Sequence, residues 1–318
     1  MVSRGGGLAS AMRLSSYLRY DDGMDSGMDS GMRRVIRSAA GLRRELSMRN
    51  LARAENLPHE ATYGVVPSVI YAENEDGGHG NFLPASYRRI QANPAWRTRL
   101  NKSYTASGRV PRSADRVRKE LDCCTSSDAL LMNIFCYPRV LARREVCGLL
   151  GVKPGLQPSF GVRAGLAMNR KEVDRTEIDM TLSDRELCGD TRLLFEAKLT
   201  ETGFQTASME RLLRYERVSE VFSIEDLPCM NGKILGYQLI RGVLAAQASD
   251  SRFVLLCDGR RTDLHEMWFR VLRAVVSYDL RSRMALLSWQ EVAATLPLVP
   301  KMFLATKYGI TASGSMDG

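Results

Sequence analysis

"TEIDMTLSDRELCGDTRLLFEAKLTE", residues 176–201, places an aspartate inside one apolar run and a Glu-Ala-Lys triplet inside the next. The runs "TEIDMTL" and "TRLLFEAKL" predict two strands, divided by the turn-rich "SDRELCGD". Side chains alternate across a strand, so Glu177 and Asp179 share one face, as do Glu196 and Lys198. If the two strands are neighbours, Asp179, Glu196 and Lys198 converge at one end of a sheet.

That convergence has a chemical consequence. Two carboxylates a few ångströms apart repel, and burial sharpens the conflict. A hard divalent cation such as Mg²⁺ or Mn²⁺ resolves it, because it takes oxygen ligands and keeps several waters. It also acidifies a bound water and neutralises charge on a phosphoryl group. Lys198 would orient that water or meet oxyanion charge. The chemistry is phosphodiester hydrolysis, with Asp179 and Glu196 as metal ligands. Glu177 is a further candidate ligand that can equally point away. The bland alternative is an edge hairpin whose acids and lysine form a solvent-facing ion pair.

An aspartate followed by Glu196-Ala197-Lys198, each flanked by hydrophobic residues, resembles the PD-(D/E)XK nuclease superfamily, although the motif's proline is absent. "HGNFLPASYRRI", "SSDALLMNIF", "GYQLIRGVLAAQA" and "SWQEVAATLP…FLATKYGI" resemble a bacterial restriction-endonuclease-like group over roughly residues 60–310. The resemblance implies an α/β fold with a restriction-endonuclease-like core, a mixed central sheet flanked by helices. It also implies a glutamine facing the site from the helix after the catalytic strands. Gln238 occupies that place, at the edge of a Leu239, Ile240, Val243 and Ala246 stripe, with Arg241 beside it as a further expected nucleic-acid contact. DNA is the expected substrate and partner. RNA cleavage, a nucleic-acid-binding module of the same fold, and an interaction protein with an incidental triplet stay open. A homodimer would suit cutting of both strands.

The rest of the chain is consistent with that reading. Its 318 residues carry a formal charge of +9, which permits a phosphate-backbone partner without requiring one. No run approaches the roughly 20 apolar residues of a membrane helix. The seven cysteines contain no CxxC pair, which argues against structural zinc and for reduced core residues in a cytoplasmic protein. Residues 1–58 are expected as a flexible basic extension with the repeat "GMDSGMDSGM" and an arginine cluster from Arg33 to Arg53. Residues 59–120 form a helical and loop region, 121–310 the core and 311–318 a tail. In "PASYRRIQANPAWRTRLNKSY", helices divided at Pro94 interleave Tyr87, Trp96 and Tyr104 with Arg88, Arg89, Arg97, Arg99 and Lys102. Such residues suit phosphate contact and base stacking, and equally a solvated helical cap. Asn133, amid "LLMNIF", needs a partner and reads as a brace, and the loop residue His79 has no partner in the sequence. Further helices are expected at 139–151, 208–222, 236–249, 263–278 and 289–308, with strands at "RFVLLCD" and "MALLSW".

Overall fold

A computed structural model describes residues 38–62, 67–104, 118–183 and 193–312. Five strands form its central sheet: β1 Gln157–Met168, β2 Glu172–Ser183, β3 Leu193–Ala197, β4 Arg252–Cys257 and β5 Met284–Ser288, in the order β5-β4-β3-β2-β1. β1 and β2 pair antiparallel, as do β2 and β3, while β3, β4 and β5 run parallel. Every residue of β3 is buried, which is why "LLFEA" is a continuous run rather than an alternating one. Alternation decides which core each residue joins. Leu194 enters the first of two hydrophobic cores, and Leu193 and Phe195 the second.

Among the described residues, nine α-helices of six residues or more clothe the sheet: α1 Ala39–Ala54, α2 Pro84–Ala92, α3 Pro94–Arg99, α4 Ser127–Phe135, α5 Arg144–Leu150, α6 Tyr237–Ala248, α7 Thr262–Ala274, α8 Trp289–Thr295 and α9 Leu298–Tyr308. Helix α6 lies between parallel strands β3 and β4 in the chain, the crossover that parallel pairing requires. Its Leu239, Ile240, Val243 and Ala246 all face the first core. Leucines of α1 and α4, with Trp289 of α8 and Tyr308 of α9, fill the second. Pro94 restarts the chain as a helix, with Asn93 Oδ1 accepting from the backbone N–H groups of Ala95 and Trp96. No described helix is long and apolar enough to cross a membrane.

Several expectations need correction. Residues 39–54 are an ordered helix, not part of a flexible arm. Ser38 caps α1 by accepting from the Gly41 N–H, and Leu42 and Leu46 are wholly buried. The arginine-rich remainder of α1 hides this narrow leucine stripe in the sequence. The expected helix at 208–222 is two single turns, Met209–Leu212 and Val218–Val221. The one at 139–151 starts as a 3₁₀ turn, Val140–Ala142, before α5, and the one at 263–278 is α7 followed by Tyr278–Ser282. Strand β1 has no counterpart among the expected strands. Pro158, Gly161 and Gly165 break its alternation, and it forms because it is an edge strand paired with β2 along its whole length. The N-terminal repeat, Arg33, Arg34, Arg37, the turn "DRELCGD" with Cys188, and residues 313–318 lie outside the described residues.

Lys307 of α9 is fully buried and donates to Asn50 Oδ1 of α1 at 2.6 Å. Its ammonium lies 4.6 Å from the Tyr71 ring centre and 5.0 Å from that of Tyr308.

Candidate active site

The β2–β3 register pairs Met180 with Phe195, so one further step sets Asp179 opposite Glu196. The ladder gives way there to a side-chain bond, in which Asp179 Oδ2 accepts the Ala197 N–H at 2.8 Å. Asp179 keeps part of its surface open, while Glu196 and Lys198 are each only 5% exposed. Lys198 Nζ pairs with Glu196 Oε1 at 2.6 Å, and this buried oxygen has no other partner among the described residues. The three residues expected at one sheet end therefore do meet there.

Their electrostatics follow from crowding. Burial, then the Glu196 and Asp128 carboxylates, push the Asp179 carboxyl well above the usual range, against the pull of Lys198 and the Ala197 N–H. For Lys198, burial disfavours the ammonium, but Glu196, Glu201 and Asp179 outweigh it and hold the group above the usual lysine range. Among the described residues no three His, Cys, Asp or Glu side chains cluster to hold a metal. Asp179 and Glu196 could still hold one hard divalent ion that retains most of its water, and a buried Glu196 oxygen partnered among the described residues only by Lys198 fits that use.

The chain beyond Lys198 is clamped. The Lys198 N–H donates to Leu256 O at 2.8 Å, and its carbonyl accepts from Trp289 Nε1 at 2.9 Å. Fully buried Arg261 donates to Leu199 O and Glu201 O, at 3.0 and 2.9 Å, and pairs with Asp263. Glu201 accepts from the Leu199 N–H and from Ser127 Oγ, both at 2.6 Å. Such bracing holds Lys198 more firmly than a strand end would by itself.

A second network adjoins the first. Asp128, at the start of α4, takes the Arg99 guanidinium at 2.9 Å and Lys102 Nζ at 2.7 Å, and both cations also reach Glu177 Oε1, at 2.8 and 3.2 Å. Although burial works against it, the two cations hold the Glu177 carboxyl below the usual range. Glu177 is thus turned to Arg99 and Lys102. Gly161 makes room for this, because its backbone is left-handed (φ +64°) and a Cβ there would collide with the Arg99 guanidinium.

The other candidates are dispersed. Gln238 is partly buried at the start of α6, and its backbone N–H donates to Phe204 O at 2.8 Å. The Phe204 ring centre lies 5.8 Å from Lys198 Nζ, so α6 does begin beside the site, but the Gln238 side chain makes no hydrogen bond among the described residues. Arg88 and Arg97 are exposed. The remaining expected phosphate contacts are committed within the protein. Arg89 donates to Cys136 O and Tyr137 O, both at 3.2 Å, Lys102 serves Asp128 and Glu177, and Arg241 lies over the Tyr237 ring near Asp174. Tyr87 and Trp96 are buried, which makes the basic-aromatic stretch largely a packed cap. Asn133 is the expected brace, accepting from Leu83 N and donating to Asn81 O. His79 faces Asp122 at 3.2 Å. Asp128 and Glu201 are the site acids that sequence reading missed. Asp128 reads there as an ordinary first-turn helix acid, and nothing links it to a strand 50 residues away.

No curated protein and no solved structure matches this chain. Residues 52–309, spanning all five strands and eight of the nine labelled helices in full, match the family described as Restriction Endonuclease associating with ARP. With its mixed sheet, flanking helices and converging acids, the chain belongs to that restriction-endonuclease-like family.

Proposed function

We propose that this protein is a PD-(D/E)XK-type nuclease that hydrolyses phosphodiester bonds in DNA with one Mg²⁺ or Mn²⁺ ion. The observation that carries the reading is the crowding of Asp179 and Glu196 against one buried ammonium, with Glu196 Oε1 having no partner but Lys198 among the described residues. Asp179 and Glu196 would hold the ion. When bound, such an ion supplies charge neutralisation at the phosphoryl oxygens and acidification of a water. Lys198 stays protonated, so it donates hydrogen bonds to the attacking water or to the phosphoryl oxyanion and is not a ligand. Gln238, at the start of α6, would help orient the substrate. The family description supports an ARP partner, and a homodimer would place two sites on the two strands of a duplex.

A second reading rests on one observation. The Lys198–Glu196 contact at 2.6 Å sits on the oxygen an ion would use, as in a fold that binds nucleic acid and cuts poorly. One assay separates the two. Duplex DNA, single-stranded DNA and RNA are incubated with the protein, with and without Mg²⁺ or Mn²⁺. Metal-dependent cleavage of DNA that vanishes in Glu196→Gln supports the nuclease. Binding without cleavage by a folded protein overturns it.

A further inference from the structure

The β1–β2 hairpin outruns the sheet that it belongs to. Strand β2 pairs with β3 only over Met180–Leu182, but with β1 it continues to Glu172, opposite Met168. From Val162 and Ile178 outward the hairpin is a two-stranded ribbon. Its inner side is closed, since Leu166, Met168 and Ile178 lie in the first core and Thr176 is buried. The other side is open. Three cross-strand pairs make it up, Arg163 with Glu177, Gly165 with Arg175 and Ala167 with Val173, and all six residues are exposed.

Charge says what this side would accept. Glu177 is already neutralised by Arg99 and Lys102. Arg163 and Arg175 have no ion pair or hydrogen bond among the described residues, and Lys171 stands exposed at the hairpin turn. Gly165 lies beside Arg163 and opposite Arg175, and the Ala167–Val173 pair lies beyond them, so a backbone can reach both arginines over the glycine. The three pairs extend over about 13 Å of strand, several times the roughly 3.4 Å axial spacing of phosphates along one DNA strand. The open side also runs into the candidate site, because Glu177 is two residues from Asp179 and shares its cations with Asp128.

We propose that the open side of the β1–β2 ribbon is a docking track for the phosphate backbone of duplex DNA, with Arg163 and Arg175 as its phosphate contacts. This rests on the nuclease reading and adds the surface on which the substrate lies. It moves the phosphate contacts away from the stretch 84–104, where Arg89, Arg99 and Lys102 are engaged within the protein.

The test uses the full chain and a duplex oligonucleotide without divalent ions, with binding followed by fluorescence anisotropy from low to high salt. In Arg163→Ala/Arg175→Ala the slope of log affinity against log salt should become shallower by roughly two, about 0.9 for each phosphate that is no longer neutralised. Arg163→Lys/Arg175→Lys should keep most of the slope. Arg270→Ala/Arg281→Ala removes the same charge from two exposed helix positions and should leave it unchanged. Circular dichroism checks that each variant is folded. If the wild type binds and the ribbon variant keeps its slope, or falls no further than the Arg270/Arg281 control, the track is wrong while the nuclease reading stands. Binding of single strands alone, or of a protein in place of DNA, also rejects it. A folded wild type that neither binds nor cuts nucleic acid overturns both.

Discussion

Asp179 carries a charge penalty that its surroundings relieve only in part. Its carboxyl is raised well above the usual range by burial and by Glu196, so the folded state holds this proton longer than the unfolded chain does. The stability it contributes is present below the ordinary aspartate value, near 3.9, and is lost as pH rises through the raised value. Asp179→Asn should therefore abolish metal-dependent cleavage and yet raise the unfolding midpoint at neutral pH. The advantage should shrink as the pH falls toward 4, and thermal unfolding across that range reads it directly. Mg²⁺ should raise the wild-type midpoint, by about 2.7 kcal/mol of stability at a hundredfold excess over its Kd, but not that of Asp179→Asn. A variant no more stable than wild type at neutral pH, or one that still cuts, removes Asp179 from the site. Lys198→Met is expected to behave in the opposite way. It leaves Glu196 buried without its cation, a loss of about 3–5 kcal/mol without metal, part of which Mg²⁺ should restore. Cleavage should fall by orders of magnitude while calorimetry still shows Mg²⁺ binding, and loss of both together would assign Lys198 to metal binding instead.

At the scale of elements, the site depends on a strand pair interrupted at one point. Phe160 pairs with Met180 and Val162 with Ile178, while Gly161 between them is left-handed. Ile178 belongs to one core and Met180 to the other, so β2 changes the layer that it serves at Asp179. Gly161→Ala should cost about 1–2 kcal/mol from the backbone alone, and more because Arg99 must move off the strand. Gly165→Ala is the matched control, since its Cβ would meet only Val173 Cγ1 at an ordinary 3.5 Å. Urea unfolding of the two variants should separate them clearly, and equal midpoints would show that Gly161 is not required. Legibility differs between elements for the same local reason. Strand β3 announces itself by a continuous apolar run, and helix α6 by one strong apolar period. Strand β1 does not, because its pattern is set by its partner.

For the whole molecule the informative residue is Lys307, which ties α1 and α9 to Tyr71 of the short strand Val69–Tyr71. Burial pushes its ammonium down to about 7, against an ordinary 10.5. The unfolded chain then binds more protons across that window, so stability should climb as pH rises from about 7 toward 10.5. Lys307→Met should flatten the climb and raise stability at neutral pH. A wild type whose stability is level over this range would show the ammonium to be fully compensated by Asn50 and the two tyrosine rings. Helix α1 belongs to the same assembly. Deleting residues 1–58 removes Leu42, Leu46 and Asn50 from the core, so the truncated chain should lose cooperative unfolding, as followed by circular dichroism.

The alternation of side chains about Asp179 and Glu196-Ala197-Lys198 was enough to bring three residues to one sheet end, because strand geometry is local and periodic. The α/β class, the Pro94 break and the buried face of α6 were legible for the same reason. What the tertiary structure alone decided is everything that depends on distant segments meeting. It turned Glu177 toward Arg99 and Lys102, brought Asp128 and Glu201 to the site, committed most of the basic stretch to internal partners and opened the far side of the β1–β2 ribbon. Charge in a sequence has no direction, and only packing determines whether an arginine faces a carboxylate, a carbonyl or water.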